Sequence, residues 1–339
     1  MSRAVLVILL CGGCSAKLPD VTLAGDGRGA ETSADAADAG DAGDARGVEA
    51  GGDTTPVVRC DWSKAGFSLS APQPLSQLDS ASEEAEPFLS ADGRTLLFAS
   101  TRSGGSGKWD DYIATRTDTS DPMAFGNVRE LAAINSPLHE TRLAVSSDGR
   151  TFYLSAETAT ASEIYIAELG SSGGDATTLV RADFKPIAAI NAIGIQKYDP
   201  HPSYDNLRLY FIASDINGGG SQTDILVSSR ASPSDPFGAP VAVMGVNSGS
   251  IDANPTLTAD ELTIVFNSSR PSGQGSNDLY YATRATRQDA FGAPQPVPTL
   301  NSPDSDTELH ITLDGCEVYF TSNRGGGKQH IYHSRYVAP

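Results

Sequence analysis

Beyond Cys60 the apolar residues come in short runs broken by glycine, proline, serine and aspartate, and no 3.6-residue period is sustained. Such texture predicts an all-β chain. The stretch LSADGRTLLFASTR, Leu89 to Arg102, reads as two strands joined by a tight turn on Asp92-Gly93. Preceded by EEAEPF, it returns four more times, from His139, Tyr198, Ile251 and Asp306. The turn aspartates Asp92, Asp148, Asp205, Asp260 and Asp314 are spaced 56, 57, 55 and 54 residues apart. In the copy at Tyr198 the hairpin reads as two residues short between Pro202 and Phe211.

Two further elements keep step with the hairpin. DDYIATR (from Asp110), EIYIAEL (Glu163), DILVSSR (Asp224), DLYYATR (Asp278) and HIYHSRY (His330) follow it. Phenylalanine-led segments from Phe67, Phe125, Phe184, Phe237 and Phe291 precede it. Five units of four strands, a and b in the hairpin, then c and d, are what a β-propeller needs, because each blade can cover its apolar faces only against neighbours in a closed ring. The chain opens with a lone d at Phe67 and ends with a lone c at Tyr332. Blade five is therefore expected to be completed by the N-terminal strand.

These repeats resemble the WD40-like repeats of TolB-type propellers: P-x-x-S-x-D-G-x-x-x-x-F-x-S-x-R followed by D-x-Y, across nearly all of Phe67 to Arg335. The aspartate box of sialidases fits less well, since glycine follows aspartate directly and no tryptophan comes after it. The repeats give a five-bladed propeller of four-stranded blades; the resemblance supports the propeller fold and points to envelope proteins as partners. It leaves function open, because propellers host unrelated activities.

Ahead of the repeats, Arg3, the apolar run Ala4 to Leu10 and CGGC look like a bacterial lipoprotein signal at residues 1–13, with lipidation at Cys14. Residues 14–59 read as a tether: between Ala24 and Asp53, Ala, Gly and Asp fill 23 of 30 positions, too little apolar surface to offset the entropy of ordering. The propeller is then 60–339. A formal net charge of −18 leaves no basic surface for phosphates, so nucleic acid is not an expected partner. The localisation implied is the cell envelope, lipid-anchored at the outer membrane, with the chain acting as a monomer. With Cys14 acylated, Cys60 and Cys316 remain in an oxidising compartment, at the closing strand and the a-b turn of the blade it completes. They are expected to form a disulfide.

Two charge patterns are candidate chemistry. Arg102 and Arg270 end strand b while Asp110 and Asp278 begin strand c, which suggests an ion-pair clasp across the b-c loop; Thr158 and Asp215 replace the arginine in repeats two and three. Glu84, Glu140, Asp199, Asp252 and Asp306 read as one register at the start of strand a, a ring of carboxylates at one channel mouth where the glycine-rich b-c loops also rise. A second, varied ring follows two residues on: Glu86, Arg142, His201, Asn254 and Glu308. The first ring could hydrogen-bond its own connections, or hold a basic segment or Ca²⁺. No cofactor is otherwise expected, and no Gly-x-Ser-x-Gly elbow, His-Glu-x-x-His helix or phosphate loop is present. The reading is a non-catalytic binding or scaffold module for a protein or polysaccharide, with a five-bladed glycoside hydrolase or carbohydrate-binding protein as the alternative.

Overall fold

The computed structural model describes residues 58–339 apart from 171–173, 194–195, 215–221 and 272. The expected signal, Cys14 and all but the last two tether residues lie outside the described residues. Short strands β1 (Ser68–Leu69) and β2 (Gln73–Pro74) come first. Blade one then runs β3 (Glu84–Leu89), β4 (Thr95–Ser100), β5 (Asp110–Thr115) and β6 (Gly126–Glu130). Blade two is β7 (Glu140–Val145), β8 (Thr151–Glu157), β9 (Ser162–Glu168) and β10 (Lys185–Pro186). Blade three is β11 (Lys197–Pro202), β12 (Arg208–Ser214), β13 (Thr223–Ser229) and β14 (Val241–Ala242). Blade four is β15 (Asp252–Leu257), β16 (Thr263–Ser268), β17 (Asp278–Thr283) and β18 (Gln295–Pro296). Blade five contributes β19 (Asp306–Ile311), β20 (Glu317–Ser322) and β21 (His330–Val337).

Each blade is an antiparallel sheet in sequence order, and the first strands β3, β7, β11, β15 and β19 contact one another around a closed circuit. The ring closes as the lone strands require. β1 and β2 both pair with β21, through Ser68↔Val337, Leu69↔Tyr336, Gln73↔His333 and Pro74↔Tyr332. Outer strands are shorter than the repeat suggests: β10, β14 and β18 have two residues each, and two of them include proline, which has no N–H to extend a ladder. The apolar core lies in the seams between blades, where Leu96, Phe98, Tyr319 and Ile331 join blades one and five.

The Asp-Gly turns are structural. In blade one Asp92 Oδ1 accepts from Ser90 Oγ at 2.6 Å and from the Arg94 amide at 3.0 Å, with Gly93 at φ +69°. The same bonds recur at Asp148, Asp205, Asp260 and Asp314. Cys60 and Cys316 are bonded, with Cα atoms 5.0 Å apart and 256 residues between them in sequence. Around the bond, the Cys60 amide donates to Asp314 O and the Trp62 indole to Gly315 O. Closing so long a loop restricts the unfolded chain by on the order of 5 kcal/mol in the chain-entropy model.

Candidate functional site on the propeller axis

The four acids Glu84, Glu140, Asp252 and Asp306 do share one level of strand a, opposite Ser100, Ala156, Ser268 and Ser322 of strand b. Asp199 does not. In blade three Lys197 stands opposite Ala213 at that level, and Asp199 lies two residues further along. The segment contains two prolines, and it is Pro200, not Pro202, that matches Pro87 and Pro255; with that match the hairpin is full length. Asp199 therefore takes the place expected for His201 in the second ring, and His201 moves to a third.

Each first-ring acid is buried and bonded to its own d-a connection. Ser80, Ser136, Ser248 and Ser302, four residues upstream, donate hydroxyl and amide hydrogens to Glu84, Glu140, Asp252 and Asp306. The arginine clasp exists with a different partner from the one the b-c loop suggested. Arg102 meets Glu84 at 3.2 Å, Arg270 meets Asp252 at 2.6 Å and Arg324 meets Asp306 at 2.7 Å. Each guanidinium also donates to a carbonyl of a d-a connection, at Leu78, Val246 or Leu300, and lies over the ring of Tyr112, Tyr280 or Tyr332. Asp110 and Asp278 are occupied elsewhere, accepting from the Gly107 and Gly275 amides of the loops they follow. In blade two, where Thr158 replaces the arginine, Arg181 arrives from the c-d connection and meets Glu140 at 3.1 Å.

One step along the axis the chemistry changes. Glu86, Asp199, Asn254 and Glu308 have left-handed backbones, φ +53° to +58°, at a bulge in strand a of blades one, three, four and five. Such a conformation costs on the order of 1 kcal/mol or more for a residue other than glycine. Blade two carries its irregularity between Glu140 and Arg142. The fully buried Arg142 donates from Nε to Glu86 Oε2 at 2.6 Å, the Glu86 amide donates to Glu308 Oε2 at 2.9 Å, and Asn254 Nδ2 reaches Glu86 at 3.4 Å. The Glu86 and Asp199 carboxyls are neighbours that act on each other's charge. Burial lifts Glu86 well above the carboxylate range, aided by the Asp199 charge and opposed by Arg142; burial also raises Asp199, to about 6, and Glu308. Arg142 Nη1 and Nη2 have no partner among the described residues.

This cluster separates two cavities. On the acid-ring side, about 200 Å³ is lined by Ala85, Glu86, Ala99, Trp109, Thr141 and Glu308. On the opposite side, where the a-b turns gather, about 570 Å³ opens over Phe88, His201 and His310. The five acids expected to form a carboxylate ring do not come within ligand reach of one ion. Among the described residues the one cluster of three metal-ligating groups is Asp79, Glu84 and His330, where His330 Nδ1 lies 3.2 and 2.9 Å from the carboxylates. Of the two carboxylates, Glu84 already has Arg102 as its cation.

The second ring was visible in the repeat, with its blade-three member misassigned. Arg181, Trp109 and His310 were not read as site residues; only the bulge and the loops place them, and no spacing announces it.

No family model and no curated protein matches this chain. Solved structures do. The α-L-arabinofuranosidase from Lactobacillus brevis is similar over 79% of this chain and 94% of its own, at 12% identity and TM-score 0.53. The catalytic domain of the Coprinopsis cinerea GH62 α-L-arabinofuranosidase is similar over 80% and 96%, at 14% identity and TM-score 0.50. TolB from Acinetobacter baumannii matches 77% of this chain at 16% identity and TM-score 0.49; this chain spans 56% of that TolB. The fold is a five-bladed β-propeller. TolB proteins are among its structural neighbours, alongside enzymes, and at such identities the likeness concerns the fold alone.

Proposed function

We propose that this chain is a lipid-anchored propeller of the cell envelope, held at the outer membrane through Cys14, that binds a protein or polysaccharide without transforming it. The supporting observation is the bonding of the axial carboxyls. Glu86 is tied to Arg142, Asn254 and Glu308, whereas glycoside hydrolysis needs two carboxyls held roughly 5 to 9.5 Å apart on either side of the scissile bond. The partner was expected over the acid-ring mouth. The clasps use up those acids, so the reading places the partner at the turn-side mouth with its larger cavity. It requires no cofactor.

A hydrolase reading has one observation of its own. Glu86 and Glu308 line the small cavity beside Trp109, an aromatic face of the kind sugars stack on, and the raised Glu86 could serve as a general acid. The mature protein, presented to envelope extract and in parallel to a glycan array followed by product analysis, separates the two. Retained, intact ligands are expected. Released reducing ends that disappear in Glu86→Gln would show that the axial carboxyls catalyse.

A further inference from the structure

One seam between blades departs from the other four. At the position held by Asn135, Asn191, Asn247 and Asn301 in the other d-a connections, the connection from β2 to β3 carries Asp79. Each of those asparagines accepts from one strand c amide of the preceding blade and returns an Nδ2 hydrogen to the carbonyl of the same residue. An aspartate carboxylate can only accept, so Asp79 forgoes half of that contact. Strand c departs at the facing position, where Asp110, Glu163, Asp224 and Asp278 are replaced in blade five by His330. The two exceptions meet. His330 Nδ1 lies 3.2 Å from Asp79 Oδ1 and 2.9 Å from Glu84 Oε2.

Glu84 also uses its oxygens differently from its counterparts. Ser80, Ser100 and Arg102 all converge on Oε1, which leaves Oε2 to His330. Asp252 and Asp306 give one oxygen to the serine and the other to the arginine. An imidazole nitrogen carries at most one hydrogen, which cannot point at two carboxylates at once, and Arg102 balances only one of the two charges. Burial raises the Asp79 carboxyl, His330 opposes the rise and the Glu84 charge adds to it, so a further cation favours the ionised group. The three donor atoms lie within 4.8 Å of one another. The two separations at His330 are close to the roughly 3.3 Å between ligands around a tetrahedral ion with bonds of about 2.0 to 2.1 Å. One nitrogen and two carboxylate oxygens suit a divalent transition metal rather than Ca²⁺ or Mg²⁺, which take oxygen ligands. The Asp79 and His330 side chains are 29 and 25% exposed, which gives the ion a way in and leaves its fourth position to solvent. We propose that Asp79 Oδ1, Glu84 Oε2 and His330 Nδ1 hold one zinc-type ion across the seam between blades five and one. The ion takes the Nδ1 lone pair, and the imidazole keeps its hydrogen on Nε2. Blade five is then fastened twice, by Cys60–Cys316 at its a-b turn and by the ion where its b-c loop enters strand c. The site lies at the other mouth from the partner and is separate from the binding reading.

The mature protein, freed of metal by chelator and dialysis, is titrated with Zn²⁺ by calorimetry and melted with and without it, Ca²⁺ and Mg²⁺ serving as comparison ions. One Zn²⁺ per chain should bind and raise the melting temperature, and the comparison ions should not. Co²⁺ in its place should show the visible absorption of a four-coordinate site. Asp79→Asn restores the residue that the other seams carry, so it should fold even where a second variant does not; His330→Gln removes the nitrogen ligand. Each should weaken Zn²⁺ by at least about tenfold and remove its effect on melting. His139→Gln, a histidine outside the trio, should change neither. Zn²⁺ bound as tightly by Asp79→Asn and His330→Gln as by the parent marks an adventitious ion only and overturns the site. A parent that Zn²⁺ neither binds nor stabilises overturns it as well, and a lower melting temperature of metal-free Asp79→Asn in that case identifies the trio as an ion pair alone.

Discussion

Two sets of acids occupy levels two residues apart along strand a and live in opposite circumstances. Glu84, Glu140, Asp252 and Asp306 each own a cation and a serine, and the arrangement repeats with little change from blade to blade. Glu86, Asp199 and Glu308 share one guanidinium among three carboxyls, and Arg142 leaves two of its nitrogens unused. The first set is a device for holding strand a to its d-a connection, and blade two rebuilds it from Arg181 when the usual arginine is missing. The second set breaks the repeat, and asymmetry on an axis is where a propeller can do something only once per molecule. Position along the strand, not residue type, separates the two roles.

The largest effect should come from removing the shared cation. Arg142→Met leaves three buried carboxyls with no positive partner, and a loss of about 3 to 5 kcal/mol is expected in urea unfolding at neutral pH. Part of it should return at mildly acidic pH as the carboxyls take up protons. A loss below about 1 kcal/mol would mean that the axial acids are already neutral and need no cation.

Breaking one clasp should cost less. Asp306→Asn keeps the shape but leaves Arg324, about a fifth exposed, on a neutral partner, with an expected loss of about 1 to 3 kcal/mol by thermal or urea unfolding. If Ca²⁺ occupied the first ring instead, chelator would lower the melting temperature of the parent and spare this variant. Equal melting of the parent with and without chelator is expected.

The smallest and sharpest test uses pH. The Asp199 carboxyl in the folded chain is raised from 3.8 to about 6, so between those values the folded state holds more proton than the unfolded one and this group's contribution to stability falls as pH rises. Asp199→Asn, which also suits the left-handed backbone, deletes that contribution. The variant should gain a few degrees on its parent as pH is raised from about 5 to about 7. A difference in melting temperature that does not move with pH would show that Asp199 is an ordinary ionised carboxylate.

The blades and their closure were legible in the sequence because five in-phase copies of a multi-position pattern fix strand order. The lone segments at Phe67 and Tyr332 have one way to complete a ring, and the disulfide follows from the same topology. The site was half legible. Periodicity exposed both rings, but two prolines in Tyr198–Pro202 offered two alignments, and choosing Pro202 displaced Asp199 by one ring. Clasp partners were misread because sequence proximity across a loop favoured Asp110 and Asp278, while the loop glycines need those carboxylates for their amides. The bulge that turns Glu86 and its counterparts toward the axis has no signature of its own, since a glutamate in a left-handed conformation runs against local preference.

The Cys60–Cys316 bond has a mechanical meaning. A pull applied ahead of Cys60, as any tether to a surface would deliver, enters the body at the turn between β19 and β20 through a covalent link. Strands β1 and β2 lie on the far side of that link, inside the loop it closes, and are relieved of the load. Without the bond the same pull would need only to break the hydrogen bonds to Asp314 and Gly315 before meeting four residue pairs on the edge of β21 and peeling them one after another, opening the ring like a zipper. With it the zipper becomes a shackle, and the propeller can be towed by its N-terminus without being undone.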